Sequence, residues 1–107
     1  MIDGDIFDIG GDVVESELLA YSNYPAYARF ERQTDNQLLK SIRSIEKELI
    51  KHRAKIENPR DYVSDWEKRS TYYHEGILKR WEKEISNFEM EIRIGKLLAE
   101  ERGINNV

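Results

Sequence analysis

"LLKSIRSIEKELIKHRAKIENP", residues 38–59, and "LKRWEKEISNFEMEIRIGKLLA", residues 78–99, decide the fold. In the first, Leu38, Ile42, Ile45, Leu49, His52 and Ile56 recur at spacings of 4, 3, 4, 3 and 4, which sets them on one stripe of an α-helix. In the second, Leu78, Trp81, Ile85, Phe88, Ile92, Gly95 and Ala99 recur at 3, 4, 3, 4, 3 and 4, and one step back along the stripe is His74. Helices are predicted over 35–57 and 64–102. Thr34 or Asp35 caps the first, Ser64 with Glu67 forms a capping box for the second, and Gly103 stops it. Pro59 interrupts between them, so the two should fold back as an antiparallel hairpin.

Outward from the hairpin, residues 12–33 read as short helices. Asp12 offers an N-cap, Val14, Leu18 and Tyr21 share a face, and Pro25 restarts the chain in the first turn of a helix capped by Ser22 or Asn23. That part, with Tyr24, Tyr27 and Phe30, is the expected cover for the open face of the hairpin. Residues 1–11 form an irregular acidic lead-in. The expected fold is all-α: one domain over residues 1–107, a small helical bundle built on the long hairpin. If the two seams align Ile45 with Ile85, Glu46 approaches Glu82 and Glu48 approaches Glu84. Such like-charge contacts require a different register or basic partners for the acidic flank of the last helix.

Composition removes several classes of function. There is no cysteine, so disulfide frameworks, thiolate metal sites and cysteine nucleophiles are out. No apolar run approaches the length of a membrane span, and the acidic start lacks the form of a signal peptide. The chain reads as soluble and cytoplasmic, or secreted as part of a larger protein, with no signal of its own. Net charge is −4, and phosphate binding needs concentrated basic charge, so nucleic acid is a disfavoured partner. Asp3 and Asp5 have calcium-loop spacing, but Phe7 stands at the next ligand position, and no cofactor or metal is expected.

Two histidines, one near the end of the first long helix and one near the start of the second, fall toward the same end of the hairpin. His52 and His74, with Arg69 and Tyr73, could run metal-free phosphodiester cleavage: one imidazole as base, the other as acid, and the guanidinium on the phosphorane. The alternative is that each ring completes a helix seam, with its nitrogens satisfied at the bundle end. Arg43, Lys47, Lys51 and Lys55 recur every four residues and would contact an acidic partner or face solvent. Asp3, Asp5 and Asp8 form an acidic counterpart. Trp66 and Trp81 read as core anchors, with Trp66 closing the bundle end over the histidines. Gly76 and Gly95 each cost helix propensity, for which close approach of another backbone is the expected reason.

The stretch "LLKSIRSIEKELIKHRAKIENPRDYVSDW", followed by "YYHEGILKRWEKEISNFEMEI", resembles a helical segment at the C-terminal ends of Rhs-type and related bacterial polymorphic toxins. The likeness spans residues 37–94 as a helix, an Asn-Pro break, a tryptophan and a second helix. It implies a component of a toxin system, either cytoplasmic or secreted as part of a larger toxin, and carries over no catalytic residue.

The reading that follows is a small helical domain acting through protein contacts, with a protein partner or self-association, within a polymorphic-toxin or contact-dependent competition system. The rival readings are a metal-free ribonuclease-type toxin using His52 and His74, and a phage or mobile-element accessory protein.

Overall fold

The computed structural model describes residues 13–104, all helix and connecting turn, with no strand among them. Four α-helices follow one another: α1 over 13–20, α2 over Pro25–Glu31, α3 over Asp35–Glu57 and α4 over Thr71–Glu101. Two 3₁₀ turns, Pro59–Asp61 and Trp66–Lys68, connect α3 to α4. The expected caps at Asp12 and the acidic residues of the lead-in lie outside the described residues.

Local chemistry sets most of the helix ends. Thr34 caps α3 reciprocally: the Gln37 backbone N–H donates to Thr34 Oγ1 at 3.2 Å, and the Thr34 N–H donates to Gln37 Oε1 at 2.9 Å, satisfying two otherwise orphaned donors. Pro25 opens α2, but neither Ser22 nor Asn23 caps it: Tyr24 is the N-cap residue without a side-chain bond, and Ser22 Oγ donates back to the Leu19 carbonyl. Gly103 ends α4 as expected, at φ 77°. There the Ile104 N–H reaches the Ala99 carbonyl at 2.9 Å and the Gly103 N–H reaches that of Glu100 at 3.0 Å, the paired bonds of a Schellman stop.

The start of α4 differs from expectation. The helix begins at Thr71, capped by Ser70, whose Oγ accepts from the Tyr73 N–H at 3.1 Å. Ser64 and Glu67 make no capping box. Glu67 instead accepts from Arg60 Nε at 2.7 Å, and Asp65 takes a left-handed conformation at φ 54°, so 64–70 cannot run into the helix.

α3 and α4 form the antiparallel hairpin, and α1 and α2 cover only one end of it. The proximal core collects Val14, Leu18, Ala26, Phe30, Leu38, Ile42, Ile94, Leu97, Leu98 and Ala99. Phe30, Leu38, Ile94 and Ala99 are fully buried. Beyond Ile45 on α3 and Met90 on α4, which edge this core, the described structure is a two-helix arm closed by the 3₁₀ turns. Its buried anchors are Leu49, Trp66 and Trp81, and its remaining seam residues, His52, Ile56, Leu78, Ile85 and Phe88, are half-buried.

The register is not the one that aligns Ile45 with Ile85. Gly95 lies beneath Ile42, Phe88 beneath His52, and Lys96 pairs with Glu46 at 3.6 Å. One helix is moved along the other by about one heptad relative to that alignment, and the like-charge contacts do not arise. Glu89 meets Arg53 at 3.9 Å, and Glu91 meets Arg29 of α2 at 3.2 Å.

Candidate functional site

The arm gathers most of the residues that the sequence singles out, in two separate groups. At its tip, the chain leaving α3 turns back so that the Trp66 indole stacks on the His74 imidazole, 3.9 Å between centroids and 18° between planes. His74 Nε2 donates to the Trp66 carbonyl at 2.6 Å, which fixes the hydrogen on that nitrogen. Tyr73 meets the same indole edge-on at 6.5 Å, and the Arg69 guanidinium lies 4.8 Å above the Tyr73 ring. Arg69, Tyr73, His74 and Trp66 are therefore one cluster. Next to it the side chains of Tyr72 and Ile77, with Ser70, Gly76 and Arg80, line an open groove on the outer face of α4.

His52 belongs to a different place. Its Nδ1 donates to the Glu48 carbonyl at 2.9 Å, its Nε2 faces Glu84 Oε2 at 2.7 Å, and its ring meets Phe88 edge-on at 4.9 Å. Arg80 also reaches Glu84, at 3.3 Å. The contacts of His52 lie 10 and 14 residues beyond His74 on α4, about 15–20 Å along the helix axis. Acid and base must both reach one phosphate, and the structure does not bring these two rings together. Trp66 covers His74 alone.

The basic run does not form one surface. Lys51 turns to Glu48 at 3.3 Å, and Lys55 lies 5.9 Å over the Trp81 ring. Arg43 and Lys47 are exposed, and neither makes an ion pair among the described residues. Asp3, Asp5 and Asp8 lie outside the described residues. Among the described residues no three His, Asp or Glu side chains converge as metal ligands, and no helix is long and apolar enough to cross a membrane.

Electrostatics mark the arm's closing turn and the proximal end. The hydrogen bond from Arg60, with one from the Glu67 backbone, holds the Glu67 carboxyl below the usual carboxylate range. On α4, the hydrogen bond to Glu17 of α1, made by two guanidinium nitrogens at 2.6 and 3.1 Å, pushes the Arg93 value up. That bidentate pair straps α1 to α4.

Sequence reasoning missed Ile50, which is 66 % exposed, and Tyr72, which is 87 % exposed. A signal for Ile50 was present: of the adjacent pair Leu49 and Ile50, only Leu49 fits the seam, and an aliphatic residue off the seam must face outward. Comparison with protein-family models, with curated proteins and with solved structures finds no match to this chain.

Proposed function

We propose that this is a helical protein-interaction domain in which α1, α2 and the proximal hairpin form the scaffold and the two-helix arm carries the contacts. The observation that supports it is the exposure of large apolar side chains along the arm, Ile50 on α3, Tyr62 in the connecting turns and Tyr72 on α4, of which Tyr72 is more exposed than Val13 and Leu19 of α1 or Tyr24 before α2. Apolar groups presented on a two-helix arm match recognition in which a partner adds the missing helical surface. The setting, a bacterial polymorphic-toxin or contact-dependent competition system, is the one implied by the resemblance of residues 37–94.

The test is retention of a partner. Immobilised protein is expected to retain a protein from the source cell, and Ile50→Asp/Tyr72→Asp, with unchanged helicity, is expected to lose it. Equal retention by the variant would place the contacts elsewhere, and a strict monomer that retains nothing would contradict the reading.

A further inference from the structure

One flank of α3 carries a charge pattern that inverts on reversal. Arg43, Glu46, Ile50, Arg53 and Glu57 fall within about 80° of arc at 100° per residue, so they form a single strip. Read toward the C-terminus the strip is positive, negative, apolar, positive, negative. Read backward from Ile50, every sign is opposite. Arg43 and Glu57 each stand seven residues from Ile50, about 10.5 Å on either side of it.

The strip is open along the described length of α3. Arg43, Ile50, Arg53 and Glu57 are exposed. The ion pairs Glu46–Lys96 and Arg53–Glu89 mark the edge where it borders α4, and on the opposite flank Ser41, Ser44 and Ile45 line one cavity with Arg29 and Phe30 of α2. Neither Arg43 nor Glu57 makes an ion pair among the described residues. Glu57 is also the last residue of α3, where the partial negative charge of the helix end disfavours a carboxylate and favours an arriving cation.

We propose that this strip docks antiparallel on the same strip of a second copy of the chain, with the two-fold axis beside Ile50. The proposal rests on the interaction reading above and names its partner. About that axis Ile50 packs on the partner's Ile50. Arg43 faces the partner's Glu57, and Glu46 faces the partner's Arg53. On the outer edge Lys47 meets the partner's Ala54, so no like charges are opposed. A parallel arrangement in register would set Arg43 on the partner's Arg43 and is disfavoured. An acidic polymer is a poorer fit as well, because it requires one sign of charge and the strip alternates. Being isologous, the contact uses each pair twice, so one substitution removes two interactions.

Sedimentation equilibrium across the micromolar range to 1 mM, in low and high salt, tests the pairing. The wild type is expected to dimerise, more weakly at high salt. Arg43→Glu and Glu57→Arg are each expected to weaken dimerisation about tenfold or more, and Arg43→Glu/Glu57→Arg to restore it to within about threefold. Circular dichroism checks that all three are folded. A double variant as monomeric as the singles, or singles that dimerise like the wild type, would overturn the proposal. A wild-type monomer that still retains a partner through Ile50 would overturn self-pairing and leave the interaction reading intact. A monomer that retains nothing would overturn both.

Discussion

Gly95 of α4 lies so close to Ile42 of α3 that a Cβ built on the glycine would stand 2.7 Å from Ile42 Cγ1 and 3.5 Å from Phe30 Cε2. The expected close approach of another backbone does not occur at Gly95: the glycine admits the side chain of Ile42 instead. Because Cγ1 sits near the root of a β-branched residue, it cannot swing clear. Gly95→Ala is therefore expected to destabilise the fold by about 1–3 kcal/mol of overpacking, only partly offset by about 1 kcal/mol of gained helix propensity. Gly76 has no atom within 4 Å of its would-be Cβ. Gly76→Ala should therefore raise stability by up to about 1 kcal/mol. Chemical denaturation of both variants measures the contrast, and equal effects would show that close packing at Gly95 is not the cause.

Arg102 fastens α2 to the end of α4. Its guanidinium donates to the Phe30, Glu31 and Gln33 carbonyls and to Asp35 Oδ1, at 2.9–3.2 Å, gathering the end of α2 and the turn after it onto one cation, although the Phe30 carbonyl also accepts from the Arg32 and Gln33 N–H groups. Arg102→Lys keeps the charge but cannot span the set. A loss of about 1–3 kcal/mol is expected, with faster amide exchange in 25–33 than in the arm. Uniform exchange throughout would contradict this role.

The tip of the arm depends on His74 and Trp66. His74→Ala removes the stacked ring and the donor to the Trp66 carbonyl, and is expected to cost about 1–2 kcal/mol. Trp66 fluorescence, read in a Trp81→Phe background, should shift to the red as the indole gains solvent. An unshifted spectrum would mean that the turn holds Trp66 without the histidine.

Tyr27 gives the alkaline behaviour a sign. Burial, with the carboxylates of Glu31 and Glu101 adding to it, pushes the Tyr27 phenol above its ordinary value. A value raised on folding contributes stability in full below the unfolded value, and that contribution is lost as pH rises through the folded one. In a spectrophotometric titration Tyr27 should ionise late, above about pH 10. Tyr27→Phe should remove that late component and reduce the fall in stability over the same range. A titration with the late component intact in Tyr27→Phe would contradict the assignment.

The hairpin, the cap at Thr34, the proline start of α2 and the stop at Gly103 were legible because local spacing and capping chemistry decide them. The beginning of α4 was not, because Ser64 and Ser70 offer rival caps. The choice falls to the left-handed Asp65, the Arg60–Glu67 pair and the stack of Trp66 on His74, which are contacts the sequence does not order. Ile94, Leu97 and Leu98 are buried to 2 % exposure or less, yet they lie off the periodic seam. That seam identifies only the stripe facing α3, and the docking of α1 and α2 buries a second arc of α4. At the site, the group of Arg69, Tyr73, His74 and Trp66 was legible from proximity in sequence. The separation of His52 was not, because it depends on register. Two periodic stripes permit several heptad alignments, and Gly95 under Ile42 selects one.

That register determines which side chains the arm presents, and it can be measured directly because the chain has no cysteine. Ile42→Cys/Gly95→Cys places two Cβ atoms within reach of a disulfide, since the built Gly95 Cβ lies 2.7 Å from an atom bonded to Ile42 Cβ and disulfides need a Cβ separation of about 3.5–4.5 Å. Mild oxidation of the folded variant is expected to give the intramolecular bond in high yield, and Ile45→Cys/Ile85→Cys is expected to give little. Ready closure of the second pair, with the first remaining reduced, would contradict the register and the arm surface built on it.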